Sequence, residues 1–502
     1  MFLSVPALSL SFFSKLSPYP NDCLGARSHF CRMLPSTASP LFGGLSSAAL
    51  VIFLCVSIAG ESRQGFYLRR IPGQGSASYC FCQLKGAIED CPCSVDTVDF
   101  FNNLYVYPRL QTLVHSEYFR YYKVNLRREC PFWADDSKCS IRDCHVKSCS
   151  MDHIPEGVRA EEAAAIVSNT EQQFSSDCDD ELGRLESTIA ETTRQELLRW
   201  NAYDDKAALS YCDVGDSLEE EAEFVDLLVN PERFTGYRGP SAHRIWRSIY
   251  EENCFKPDQP VSNPFEALKH MCIEKRAFYR AVSGLHTSIN LHLCAGFLMT
   301  ERAQALAELS SDRVVWGPNL EEFRRRFDPD LTEGYGPQRL KNLYFLYLLE
   351  LRAFVKATPY LSKHDFYTGY AGDDEATQYA IQEFLRVVGT FSELHFDETT
   401  MFSDPEEGRQ LREEFRLHFL NVTRIMDCVG CDKCKLWGKL QIQGLGTALK
   451  ILFTPDEHFT SNSGISKPAF RLRRNEIGAF FNAFARLSTS MHHLNTFRAM
   501  LK

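Results

Sequence analysis

The chain has 502 residues, 44% hydrophobic and 24% charged, the balance of an ordinary globular protein able to bury a large core. A formal net charge of −10 and a pI near 5.8 argue against nucleic acid as the main partner. Nineteen cysteines are too many for a reducing cytosol unless metals hold them.

In chain order, the first predicted element is the apolar run Leu45–Ala59, which ends in the small residues Ala59 and Gly60. It suits signal peptidase and is shorter than the roughly 20 residues a spanning helix needs. Residues 1–60 are therefore read as an N-terminal extension and secretory signal, with Met33 as a start that leaves a short n-region. The sequon Asn421-Val-Thr423 makes sense in the same pathway. Leu501-Lys502 is not a KDEL-type tail, so retention in the reticulum is expected to come from a partner.

Residues 61–98 carry Cys80-Phe-Cys82 and Cys91-Pro-Cys93, which read as a stapled hairpin or a metal knuckle. An oxidising lumen favours two nested disulfides. Phe100–Asn125 is aromatic-rich with helical spacing, and 130–150 is a polar, cysteine-dense loop that opens on Cys130-Pro-Phe-Trp133. From about 155 to 222 the chain is acidic and poor in apolar residues, the composition of a mobile segment, yet it holds Cys178. Beyond 224 the pattern turns helical: Leu268–Met299, Leu340–Phe354, Tyr379–Val388 and Arg409–Met426 all repeat at helical intervals. The expected fold is mainly α: one helical catalytic domain over 99–500, a small stapled N-terminal hairpin, and a mobile loop region over 130–222.

Two cysteine spacings carry the chemistry. Cys431 and Cys434 are three apart and can pair on one helical face, and Cys428 extends the same row. Cys139 and Cys144 are five apart, about 7.5 Å of helical rise, so they can pair only across a loop. One leg of a metal site and inert bridges are alternatives for the Cys428–Cys434 row, but a redox dithiol fits the compartment better. Cys139, Cys144 and Cys149 repeat at intervals of five, which permits two alternative short bridges through Cys144 or one static bridge and one thiol. Lys433, Lys435 and Arg424 are candidates to favour a thiolate at Cys434.

A relay of dithiols needs an electron acceptor. Gly444-Leu-Gly446 lacks the third glycine of a dinucleotide fingerprint and follows a helical region, so it reads as local structure. A nucleotide cofactor would instead be held by side chains: Arg233, Thr235, Trp246, Ser283, His286, Arg326 and Arg339 are the candidates, the arginines for a pyrophosphate.

The blocks Tyr118-Phe-Arg-Tyr-Tyr-Lys-Val-Asn125, Cys130-Pro-Phe-Trp133, Asn230-Pro-Glu-Arg233, Tyr250-Glu-Glu-Asn-Cys254-Phe, Glu274-Lys-Arg-Ala-Phe-Tyr-Arg280 and Asp427-Cys-Val-Gly-Cys431 closely resemble the endoplasmic reticulum oxidoreductins, from Cys80 to near Leu501. The resemblance implies a luminal FAD-dependent thiol oxidase that oxidises protein disulfide isomerase and reduces O2 to H2O2. It leaves room for peripheral attachment to the luminal membrane face and implies no metal. It implies Cys431/Cys434 as the inner pair, with Cys434 nearest FAD, and Cys139/Cys144 as the shuttle pair. Cys139–Cys178 and Cys144–Cys149 would be the bridges of an inhibited state. Cys80–Cys93, Cys82–Cys91, Cys130–Cys428 and Cys254–Cys272 would be structural bridges, and the seven cofactor candidates fall on FAD-contacting positions. Cys294 and Cys212 match no bridge in that scheme.

Overall fold

The computed structural model describes residues 81–82, 84–91, 93–133, 144–163, 210–212, 216–232, 239–252, 268–298, 316–391, 396–404, 407–456 and 470–501. The signal segment, Cys80, Cys139, Cys178, Arg233, Thr235 and Cys254 lie outside them. All the described residues fall in one unit.

The fold is mainly helical, as the periodicity predicts. The helices are α1 (Val95–Phe101), α2 (Tyr107–Leu113), α3 (Glu117–Arg120), α4 (Gly239–Glu252), α5 (Ile273–Ala295), α6 (Leu320–Phe327), α7 (Tyr335–Leu361), α8 (Ala371–Val388), α9 (Glu407–Ile425), α10 (Asp432–Phe453) and α11 (Arg474–Met500). Side-chain caps fix several starts: Ser94 Oγ accepts from the Thr97 amide before α1, and Asn319 Oδ1 from the Glu322 amide before α6.

The long helices α5, α7, α10 and α11 form the centre, and their apolar residues merge into one core that also takes in α1, α2, α6, α8 and α9. Two glycines set the closest approaches. A Cβ at Gly284 would meet Leu346 Cβ at 2.8 Å, so α5 and α7 touch there. One at Gly444 would meet the Ala479 carbonyl at 2.6 Å, so α10 and α11 touch there. Gly444 serves helix packing, which accounts for the incomplete nucleotide fingerprint around it.

The stretch Phe100–Asn125 does not stay helical to its end. Tyr121–Val124 is a strand, β1, antiparallel to β2 (Glu223–Asp226), with Tyr121 opposite Asp226 and Val124 opposite Glu223. Asn475 at the start of α11 brackets β1, accepting from the Lys123 amide at 3.1 Å and donating to its carbonyl at 2.6 Å. A second pair, β3 (Phe297–Leu298) and β4 (Trp316–Gly317), follows α5. The acidic stretch is not uniformly solvated either. Residues 156–163 are helical with Val158 buried, and Asp216 pairs with Lys439 of α10 at 2.7 Å. Lys439 also pairs with Asp427 at 2.6 Å, and Arg128 pairs with Glu219 at 2.8 Å.

Between α5, α7, α10 and α11 lies a cavity lined by Leu285, Leu346, Glu350, Gln441, Leu445 and Arg486, with about 10 Å³ for the centre of a water. Glu350 is 2% exposed, and burial pushes its carboxyl well above the usual carboxylate range. The folded chain keeps that proton while the unfolded chain loses it above its ordinary pKa, so the cost to stability grows as pH rises. Glu350→Gln is expected to be more stable than wild type at pH 8, with the gain shrinking toward pH 4.5; thermal melts across that range check it, and a pH-independent difference would count against a neutral Glu350.

Candidate active site

The inner pair lies at the start of α10. Cys431 is its N-cap and Cys434 sits in its first turn, 3% and 0% exposed. Both carry thiols in this structure. Cys428 does not extend the row along one helix: it closes a short 3-10 turn, Met426–Cys428, and bridges Cys130, with Cα atoms 4.4 Å apart. That bridge draws the Pro131–Trp133 segment to the turn before the dithiol.

Two of the cations expected to act on Cys434 have partners elsewhere. Lys435 donates to the Leu126 carbonyl at 3.2 Å, and Arg424 faces Asp427 at 3.7 Å. The sulfur whose pKa falls is Cys431. A hydrogen bond from the Cys434 thiol lowers it, opposed by burial and assisted by the backbone N–H groups of Cys434 and Lys433 at the helix start. The thiolate is thus favoured at Cys431, first by the Cys434 thiol and then by the amides of the helix start.

Cys144 packs directly on this dithiol: Cys144, Cys431 and Cys434 form one buried cluster with Val429 at its edge. Cys144 is disulfide-bonded, to a residue outside the described ones. The partner is not Cys149, which carries a thiol. Cys144 is only 6% exposed, held against the inner pair. Cys149 sits half-buried against Tyr121, Ile154, Val158 and Phe224, and its amide donates to the Phe224 carbonyl at 2.8 Å. Burial and the nearby Asp226 carboxylate push its thiol up. Ser148 makes an isolated antiparallel bridge to Val225 of β2.

Five of the seven cofactor candidates are described, and they come together on α4, α5, α6 and α7. Trp246 stacks on His286, ring centroids 3.8 Å apart and planes 13° from parallel. Tyr250, one turn after Trp246, places its hydroxyl 3.1 Å from His286 Nδ1. Burial, and then the charges of Arg339 and Arg326, hold the His286 pKa well below its usual value, so the ring is neutral. Ser283 Oγ, one turn before His286, accepts from Asn342 of α7 at 2.9 Å. Arg326 is braced by Asn290 at 2.7 Å. Stacked aromatic rings facing two guanidinium groups fit a flat ring system joined to a pyrophosphate. Sequence reading missed Tyr250, Asn290 and Asn342; of these, only Tyr250 had a signal, its place four residues after Trp246 on the same helical face.

The profile of the endoplasmic reticulum oxidoreductin 1 family matches residues 105–494. The chain belongs to the endoplasmic reticulum oxidoreductin 1 family. It is 46% identical to the Ero1-like protein of Drosophila melanogaster over 91% of this chain and 98% of that one. It is 47% identical to the ERO1-like protein alpha of Homo sapiens over 86% and 94%. A solved mutant of S. cerevisiae Ero1p superposes with a TM-score of 0.51 at 30% identity, over 81% of this chain and 97% of that one. The oxidoreductin 1 family comprises oxidoreductases of the endoplasmic reticulum involved in disulfide formation, so this chain is an oxidoreductase.

Other expected positions of the oxidoreductin sort as follows. Cys82, Cys91 and Cys93 are buried together in the N-terminal segment, and Cys80 and Cys254, the expected partners of Cys93 and Cys272, lie outside the described residues. Burial pushes the Cys91 thiol up, and Cys272 is the N-cap of α5. Asn421, the sequon residue, lies in α9 at 8% exposure with its amide donating to Glu252 at 2.9 Å; a glycan there requires that bond to be given up. Cys294 is buried in α5, and Cys212 is buried against Gly446 and the Gln443 carbonyl. Among the described residues no helix is long and apolar enough to cross a membrane.

Proposed function

We propose that the chain is a thiol oxidase of the reticulum lumen that makes disulfides and delivers them to protein disulfide isomerase, with dioxygen as final acceptor. The observation that supports this most is the bridged Cys144 buried against the two thiols of Cys431 and Cys434. Such packing is what exchange between two dithiols requires.

An isomerase thiolate attacks the Cys139–Cys144 bridge. Because Cys144 faces inward, Cys139 is the sulfur offered to the substrate. Once the outer pair is reduced, the Cys144 thiolate attacks Cys431 of an oxidised inner pair and releases Cys434. The Cys139 thiolate then attacks Cys144, restores the outer bridge and expels Cys431. A lowered pKa makes Cys431 the better leaving group in that step. A bridged Cys144 beside two inner thiols is the arrangement reached at that point.

Arg233, Thr235, Trp246, Ser283, His286, Arg326 and Arg339 are the residues we assign to holding FAD. Trp246 and neutral His286 supply the aromatic wall and Arg326 and Arg339 the charge for the pyrophosphate. The chemistry FAD supplies when bound is acceptance of two electrons from the inner dithiol and their delivery to O2, giving H2O2. The protein keeps bulky thiols from that centre by burial, which is why two dithiols are needed.

An oxygen electrode with reduced isomerase tests the proposal: uptake with stoichiometric peroxide is the expected result, and no uptake by yellow protein would overturn it. Cys149 and Cys178 are proposed as the switch that captures Cys144 and Cys139. In the same assay Cys149→Ala is expected to shorten the lag and raise the rate, and an unchanged lag would count against the switch. The Cys80–Cys93, Cys82–Cys91 and Cys254–Cys272 pairings are proposed for the fully oxidised protein.

A further inference from the structure

The packing of Cys144 on the inner pair has an identifiable support. Asn230 is fully buried, and every polar group of its side chain is used. Its Oδ1 accepts from the Lys147 amide at 2.8 Å, and its Nδ2 donates to the Lys147 carbonyl at 2.8 Å and to the Asp226 carbonyl at 3.0 Å. Its own backbone carbonyl accepts from the Trp437 indole N–H at 2.8 Å. Lys147 follows Cys144 by three residues, and Trp437 follows Cys434 by three residues on α10. One buried residue therefore grips the shuttle segment on one side and the helix of the inner dithiol on the other. The neighbouring contacts converge on the same point: Val146 and Trp437 pack on the cluster of Tyr122, Val225, Leu227 and Leu436.

We infer that Asn230 is a positioning residue for electron transfer between the two dithiols, an inference that rests on the oxidase reading above. The step it governs is the attack of the Cys144 thiolate on Cys431. There the Cys144–Cys431 bond forms, the Cys431–Cys434 bond breaks, and Cys434 leaves as a thiolate that takes up a proton. Cys139 then displaces Cys431 from Cys144, and in sum two electrons and two protons have moved inward. Exchange needs the three sulfurs nearly in line, so the rate depends on how closely the segment after Cys144 is fixed over α10. A side-chain amide that both donates to and accepts from one residue's backbone fixes position and direction together. Asn230 touches neither a reacting sulfur nor the aromatic wall of Trp246 and His286 in the contacts above, so the step before transfer and the cofactor site are left alone.

Anaerobic single-turnover mixing of the yellow protein with reduced isomerase tests this. Reduction of the outer pair is read by acid quench, alkylation and mass, and arrival of electrons is read by flavin bleaching. Asn230→Ala is expected to slow bleaching by about 10–100-fold while outer-pair reduction keeps its rate. Trp437→Phe keeps an aromatic ring on that cluster while removing the indole N–H and its pyrrole portion, so it decides the matter if Asn230→Ala does not fold; its expected slowing is about threefold to tenfold. Bleaching at the wild-type rate in the folded variants, or both phases slowed in proportion, would overturn the inference. If wild-type flavin is not bleached by the isomerase at all, the oxidase reading itself fails, an outcome distinct from either.

Discussion

Cys434→Ala is expected to abolish oxygen uptake on reduced isomerase, by at least about a thousandfold, in a protein that stays folded and yellow. The loss follows from what Cys434 alone supplies in the proposed relay. It is the completely buried member of the pair, and both members cluster with Cys144. Without Cys434 no inner disulfide forms, and two electrons have no path inward. The fold should tolerate the change. Alanine is close to cysteine in size and is the best helix former. Two accompanying signatures are expected. The Cys431 pKa should rise, since the thiol hydrogen bond that most lowers it is gone. A Cys144–Cys431 bond, made when Cys431 attacks the outer bridge and Cys139 leaves, should exchange with that bridge and be captured as a mass-mapped crosslink once Cys139 is alkylated. Substantial turnover by this variant would sink the assignment of the inner pair.

Arg486→Ala is expected to cost about 3–5 kcal/mol of stability, read by denaturant unfolding. Arg486 lies in α11 and makes a bidentate pair with Glu232, at 2.6 and 2.9 Å, with both side chains under a tenth exposed. Its third donor bonds Ser288 of α5 at 2.7 Å, and its backbone carbonyl accepts from His292 and Ser490. Removing the guanidinium leaves the Glu232 carboxylate buried without its bidentate partner, Gln441 at 3.3 Å being a neutral and longer contact. That is the expensive way to break a buried pair. Replacing both partners, as in Glu232→Gln with Arg486→Met, is expected to recover most of the loss, because no uncompensated charge remains. A single variant within 1 kcal/mol of wild type would show that water reaches the pair. The pair also matters for position: Glu232 lies two residues after Asn230, so its anchoring on α11 holds the segment that grips Lys147.

Burial of neutral histidines adds a pH signature to the same region. Burial and the charge of Arg486 hold the His292 pKa well below its usual value, and that of His493 is lowered to about 4. Each stays neutral in the folded chain while the unfolded chain takes up a proton below about 6.5. Their contribution to stability is complete above that pH and declines as pH falls through it.

The helical periodicity of Leu340–Phe354 and Arg409–Met426 announced buried helices, and the local spacing of Cys431 and Cys434 announced a dithiol. Trp246, Ser283 and His286 were legible as cofactor candidates because two of them share a helical face. What local pattern could not say was direction. Lys433 and Lys435 flank Cys434 in sequence and Arg424 lies on the preceding helix, yet Lys435 bonds the Leu126 carbonyl and Arg424 faces Asp427, while the Cys434 thiol and then backbone N–H groups act on Cys431. Cys428 looked like a third member of a helical row until the chain turned at Met426 and sent it to Cys130, 298 residues away.

The sequence by itself determined the helical class and the two dithiol spacings, because helix periodicity and cysteine reach are local properties of the chain. Only the tertiary structure decided that Cys144 lies on Cys431 and Cys434, that Cys149 is parked against Phe224, and that Asn230 joins the two dithiol segments. Those placements depend on contacts between residues far apart in the chain, where a side chain's role is set by which buried polar group needs a partner.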